Sequence, residues 1–146
     1  LSALLIAGSL CSPAGNVFKK VYIEPTTQCN LNCRMCVRNT WEEVLGHMAE
    51  TSFGSISKSL RAFSPPPSII FGCFGELLFH LHIAEMVAAM KKLGSPVELI
   101  TNATLRSRDL AVHLKEAGID VLWVYLDAAT TPVYGDVRLG AYCLRY

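Results

Sequence analysis

Four short strand-forming runs, "VYIEPT" (21–26), "SIIFG" (68–72), "VELIT" (97–101) and "VLWVYL" (121–126), constrain the fold of this 146-residue chain more than any other feature. Three of them are near-continuous apolar runs, as strands covered on both faces are. Helical patterns separate them. In "IAEMVAAMKKLG" the residues Ile83, Met86, Val87, Met90 and Leu93 form one apolar stripe, and Lys91, Lys92 and Gly94 mark the end of the helix. In "SRDLAVHLKEAG" Ser107 is the expected N-cap, Leu110 and Leu114 share a face, and Gly118 is the stop. A third helix is expected over 51–63, ended by the prolines at 65–67.

The alternation of strand and helix predicts an α/β domain on a parallel sheet with right-handed crossovers. Ligands of such folds bind outside the carboxyl ends of the strands. Each predicted strand is followed by an unusual polar or glycine-rich stretch: "CNLNCRMC" (29–36), "GCFGE" (72–76), "TNAT" (101–104) and "DAAT" (127–130). All four are therefore expected on one rim. No internal repeat, low-complexity tract or linker divides the chain. Four apolar strands with an open edge, and a chain stopping soon after, read as a piece truncated after about four strands.

A formal net charge of +1 gives no electrostatic footprint for nucleic acid or an anionic membrane. At 51% hydrophobic the chain is expected to fold around a core, and no run reaches the length of a spanning helix. The first residues, "LSALLIAGSLCSPAG", resemble the apolar core and cleavage region of a secretory signal without its basic start. A strand or helix of a preceding segment would look the same. Residues 1–20 are thus read as an apolar leader or the remnant of an upstream segment. Six cysteines also permit a disulfide framework, but aliphatic runs of this kind are foreign to such small loop-rich scaffolds.

Cys29, Cys33 and Cys36 lie within eight residues and lack a fourth partner. A structural zinc site would need another Cys or His at short spacing, yet the next His is His47 and no second CxxC pair exists. A cube of four irons and four sulfides fits three thiolates better, because the fourth iron then keeps an open position for a ligand. Cys11, Cys73 and Cys143 are isolated in apolar settings and are expected to act as small core hydrophobes. Met86 and Met90 read as core. His80 and His82, two residues apart, do not share a helical face, so solvated loop or capping roles are expected of them. Gly75 and Glu76 taken alone are a turn and a helix start. Asn102 either caps the helix that follows Thr104 or faces a ligand.

CxxxCxxC after the first strand of an α/β domain resembles the signature of the radical S-adenosylmethionine enzymes, and Cys29, Cys33 and Cys36 match it residue by residue. The resemblance implies a 4Fe-4S cluster held by these three cysteines, with S-adenosyl-L-methionine as second cofactor. It further implies that Gly75 and Glu76 resemble the family's glycine-glutamate motif at the amino group of S-adenosylmethionine. Thr101 and Asn102 resemble its "TNG" stretch, and Asp127 its "SLDG" turn. Arg138 of "VRLGA" is expected to reach the methionyl carboxylate. Met35, where an aromatic is frequent, is counted among the cofactor-binding residues. No residue is assigned a catalytic role.

The stretches "YIEPTTQCNLNCRMCVRNTW", "GELLFHLHIAEM" and "VLWVYLDAATTPVYGDVRLGA" are similar to the branch that modifies the cofactor of tungsten-containing aldehyde ferredoxin oxidoreductases, itself similar to molybdopterin-synthesis and peptide-maturase enzymes. The implied fold is a partial (β/α) barrel of parallel strands, of which residues 21–146 are the N-terminal part. Departures from the family's pattern are Leu77 and Leu81 for proline, Ala103 and Ala128 for glycine, and Tyr125 for serine. Alanine at a left-handed turn costs on the order of 1 kcal/mol, and Tyr125 needs space where a ribose is expected.

The implied activity is reductive cleavage of S-adenosylmethionine to a 5′-deoxyadenosyl radical that takes hydrogen from a substrate, in cofactor or peptide maturation. The implied partners are a small-molecule or peptide substrate and a reductant such as ferredoxin or flavodoxin, with no nucleic acid or membrane, in the cytoplasm. The competing readings are a non-catalytic iron-sulfur electron-transfer module and an inactive truncated remnant.

Overall fold

The structure, a computed structural model, describes residues 18–105 and 107–141. Most of the leader read over 1–20 lies outside them, as do Cys11 and Cys143. Four strands, β1 (Lys20–Ile23), β2 (Ser68–Phe71), β3 (Val97–Thr101) and β4 (Val121–Val124), form one sheet in the order β1-β2-β3-β4, and every pair is parallel. Helices α1 (Glu50–Leu60), α2 (Ile83–Lys92) and α3 (Arg108–Glu116) make the three connections. This is the expected α/β architecture of a partial (β/α) barrel. Among the described residues no helix is long and apolar enough to cross a membrane.

Burial explains why these segments take these forms. In β1 Val21 and Ile23 point inward while Tyr22 faces out, and in β2 Ile69, Ile70 and Phe71 are all buried, as a central strand requires. The α2 stripe of Ile83, Met86, Val87 and Met90 covers this centre, and each such buried side chain contributes about 1.5–3 kcal/mol. Met86 and Met90 are core, as their spacing predicts. α1 buries only Leu60 outright and α3 only Leu114, so both are mostly solvent-facing.

The predicted stops and caps appear where the sequence puts them. Ser107 accepts a hydrogen bond from the Leu110 amide at 3.0 Å and opens α3. Gly94 (φ +80°) and Gly118 (φ +87°) close α2 and α3 in the left-handed region. Asp120 accepts from the Val97 amide at 2.6 Å and from Lys91 Nζ at 2.7 Å, tying the entry of β4 to β3 and to α2.

Two features differ from the sequence reading. β4 was expected to be covered on both faces, yet all four of its residues are exposed. It pairs with β3 and stands at the end of the strand order, with its residues between 38% and 52% exposed. A further helix, α4 (Thr131–Val137), follows β4. Its seven residues include Gly135 and show no apolar stripe; Pro132 in the first turn is the local signal for it.

Candidate functional site

The cysteine loop leaves β1 at the carboxyl edge of the sheet, and three kinds of contact fix it. Leu31, 3% exposed, plugs the loop into the interior. Within the loop, the Cys36 amide donates to the Cys33 carbonyl at 3.0 Å and Asn39 Nδ2 to the same carbonyl at 2.9 Å. From about a hundred residues away, the carbonyls of Leu139 and Val137 accept from the amides of Asn32 and Arg34 at 2.9 and 3.0 Å, while Arg34 also bonds Asp136. The unforeseen α4 and the turn after it therefore brace the cysteine loop.

Beside it lies the loop after β2. Gly75 is obligatory here, because a Cβ at this position would stand 2.0 Å from the Thr26 carbonyl oxygen and 2.8 Å from that of Gln28. The Glu76 amide donates to the Gln28 carbonyl at 2.8 Å. A residue that the sequence reading passed over completes the junction. Glu24 accepts from the amides of Phe74 at 2.7 Å and Gly75 at 3.3 Å, so one carboxyl at the end of β1 holds the loop after β2. Burial pushes it up from 4.5 to about 7, against the pull of those two amides. The available signal was a carboxylate interrupting an apolar run, in "VYIEPT".

Glu76 is 1% exposed and reaches the third rim segment. Its carboxylate accepts from Thr101 Oγ1 at 2.6 Å, the Asn102 amide at 2.7 Å and the Leu78 amide at 3.2 Å. These three donors offset the cost of burying its charge. Asn102 turns its Nδ2 toward Cys29 Sγ, 3.7 Å away, and Asn30 Oδ1, 3.1 Å away, while its Oδ1 accepts from the Thr104 amide. Ser107 caps α3, so the capping alternative for Asn102 does not hold; Asn102 faces the cysteines instead. Ala103 takes φ +56°, the strained conformation expected from its replacement of glycine, whereas Ala128 stays out of that region.

From the fourth segment, Asp127 accepts a hydrogen bond and ion pair from Arg138 Nε. Burial opposes the charge of Arg138, but Asp127 outweighs it and holds the guanidinium protonated. Burial also pushes the Cys33 thiol up; Arg138 pulls it back, and Cys29 and Cys36 push it further. The Cys33 thiol thus feels its two neighbouring cysteines and one cation.

These segments enclose a cavity of about 270 Å³. Cys29, Cys33, Met35 and Cys36 line it from the first segment, Gly75 and Glu76 from the second, Thr101 and Asn102 from the third, and Asp127 and Arg138 from the fourth. All ten residues singled out in the sequence share this one wall. Arg38, Cys73, Phe74 and Tyr125 join them. Cys73 is exposed on the rim, which corrects its reading as a core hydrophobe: it follows Gly72, beyond the last inward-facing residue of β2. His80 does cap, its Nδ1 accepting from the His82 amide at 3.3 Å, but it is not solvated. It is 6% exposed, packed edge-on against His47 with ring centroids 5.3 Å apart, and burial followed by the neighbouring His47 lowers its affinity for protons.

The donor set fits a three-thiolate cluster. Cys29, Cys33 and Cys36 lie along one wall of the cavity, with Asn102 beside Cys29. The Leu31 amide and Asn102 Nδ2 both donate to Cys29 Sγ, contacts that stabilise a metal-bound thiolate.

Residues 23–140 match the profile of the Radical SAM superfamily. The chain is 34% identical over 113 residues to the tungsten-containing aldehyde ferredoxin oxidoreductase cofactor-modifying protein of Pyrococcus furiosus, which covers 77% of this chain and 32% of that protein. It is 30% identical over 117 residues to the 7,8-dihydro-6-hydroxymethylpterin dimethyltransferase of Methanocaldococcus jannaschii, covering 77% of this chain and 23% of that protein. Among solved structures, BtrN in complex with AdoMet and 2-DOIA superposes with a TM-score of 0.68 at 20% identity, over 75% of this chain and 46% of that one. The chain spans about a third or less of the length of these two curated relatives.

Proposed function

The chain belongs to the radical SAM superfamily, and from that membership we propose that its cavity is the cofactor site of a radical S-adenosylmethionine enzyme. The single observation that carries this reading is the convergence of Cys29, Cys33 and Cys36 on one cavity wall with Glu76 and Asn102. When bound there, a 4Fe-4S cluster supplies one electron, drawn from a reductant such as ferredoxin or flavodoxin, that splits S-adenosylmethionine into methionine and a 5′-deoxyadenosyl radical able to take hydrogen from substrate.

The chain's own residues bind and orient. Cys29, Cys33 and Cys36 hold three corners of the cluster, and Asn102 and the Leu31 amide steady Cys29 through donors to its sulfur. Glu76, held by Thr101 and Asn102, presents a fixed carboxylate where an ammonium group needs an acceptor. Arg138, fastened to Asp127 through Nε, keeps its Nη groups for a carboxylate. Met35 and Tyr125, both more than half exposed, line the solvent-facing part of the cavity. The substrate we propose is a cofactor precursor or a peptide, and a reducing, oxygen-poor cytoplasm suits the thiols.

Anaerobic reconstitution with iron and sulfide, then reduction with S-adenosylmethionine present, should yield 5′-deoxyadenosine. A second reading, a four-thiolate cluster of a non-catalytic electron-transfer module, has Cys73 on the rim in its favour. Cys33→Ala should abolish cluster assembly and Cys73→Ala should leave iron content unchanged. Equal iron loss in both variants would favour the four-thiolate module.

A further inference from the structure

We propose that Asn30 and Thr104 are positioning residues: they close a hydrogen-bond ring through Asn102 that holds an N–H donor on Cys29 Sγ and so raises the reduction potential of a cluster bound at that thiolate. This rests on the function proposed above. Neither residue lines the cavity; both stand one contact behind it, on Asn102. Asn30 comes from the cysteine loop, and Asn102 and Thr104 come from the segment after β3.

The direction of every bond in the ring is fixed. The Thr104 amide is a donor that cannot reverse, and it points at one end of the Asn102 side chain from 2.8 Å, so that end is the oxygen Oδ1. Nδ2 therefore faces Asn30 Oδ1 at 3.1 Å and Cys29 Sγ at 3.7 Å, with one hydrogen for each. Thr104 gives its single hydroxyl proton to Asn102 Oδ1 at 2.5 Å, which leaves a lone pair on Oγ1 to accept from Asn30 Nδ2 at 2.7 Å. The three side chains thus form a closed cycle in which each bond polarises the next. Half a turn of the Asn102 amide would set Oδ1 against the sulfur and against Asn30 Oδ1. Thr104 and Asn30 prevent it. An N–H donor on a ligating sulfur draws charge from it and favours the reduced cluster, which carries one more negative charge.

The test is the reduction potential of the reconstituted chain, read from the cluster's spectrum in a dye-mediated titration. Thr104→Val and Asn30→Ala are expected to move the one-electron equilibrium about threefold toward the oxidised cluster, and Asn102→Ala about tenfold, or about 59 mV. Thr104→Ser keeps the hydroxyl and should restore the parent value, with iron per chain unchanged. Unchanged potentials at full iron, or Thr104→Ser shifting as far as Thr104→Val, overturn the proposal, since the ring would then only hold the two loops together. Should Thr104→Val fail to load iron, the cluster-free 15N-labelled chain decides. There the Asn102 Nδ2 protons should exchange with solvent about tenfold more slowly than those of the exposed Asn32, and Thr104→Val should remove that protection. Equal rates in parent and Thr104→Val overturn the ring. Potentials that shift as expected in a chain that forms no 5′-deoxyadenosine would leave the ring standing and fell the radical reading. Formation of 5′-deoxyadenosine with potentials unmoved would do the reverse.

Discussion

Ala103 holds a left-handed backbone at φ +56°, and its amide donates to Thr101 Oγ1 within the turn that presents Asn102 to the cysteines. The Cβ contributes nothing there except strain. Ala103→Gly should therefore stabilise the chain by up to about 1 kcal/mol, the relief of strain exceeding the added freedom of the unfolded state. A urea midpoint that rises with an unchanged slope is the check. Gly75 is the opposite case. Its missing side chain lets the Thr26 carbonyl approach, and that obstacle is backbone, which cannot swing aside. Gly75→Ala should cost more than about 2 kcal/mol and part the cysteine loop from the loop after β2. Loss of both stability and iron content is expected, measured by denaturation and by iron per chain. A methyl group is thus tolerated at Ala103 with strain and excluded at Gly75 by backbone.

At the scale of elements, the site depends on ties between strand ends, and Glu24 is the tie whose strength varies with pH. Its folded-state value of about 7 lies above the 4.5 of an ordinary glutamate. Between those values the folded chain holds a proton that the unfolded chain has released. Stability contributed by the protonated group is complete below about pH 4.5, falls as pH rises, and is gone above about pH 7, a span of roughly 3 kcal/mol at 1.36 kcal/mol per unit. Glu24→Gln stays neutral throughout and should flatten this segment of the stability profile. Urea denaturation at half-unit intervals from pH 4.5 to 7.5 measures it, and parallel curves for parent and variant would contradict the assignment. α4 acts at the same scale: the carbonyls of Val137 and Leu139 fasten the loop that carries the thiols, so a seven-residue helix with a single buried side chain is needed for the placement of the site.

At the scale of the molecule, the edge strand β4, exposed among the described residues, dominates. Leu122, Trp123, Val124, Tyr125 and Leu126 are between 44% and 70% exposed in unbroken succession. An apolar edge strand with one free set of backbone groups is a template for association. Leu126→Lys should reduce concentration-dependent self-association in light scattering while changing stability by no more than about 0.5 kcal/mol. The sheet, its parallel sense, the α2 core stripe and the three cysteines were legible in the sequence because they depend on local periodicity and on thiol chemistry at fixed spacing. The exposure of β4 was not, since an apolar run reads alike whether or not a neighbour covers it. Glu24 and the bracing by α4 were also hidden, because each acts through partners that sequence distance conceals: Phe74 and Gly75 for Glu24, Asn32 and Arg34 for α4. Which residue types and which rim the site uses was written into the chain itself, by periods of two and 3.6 and by the cysteine spacing. Which charges are neutralised within the wall was decided only when the strands brought distant side chains within hydrogen-bonding distance, where burial sets the cost of every unpaired group.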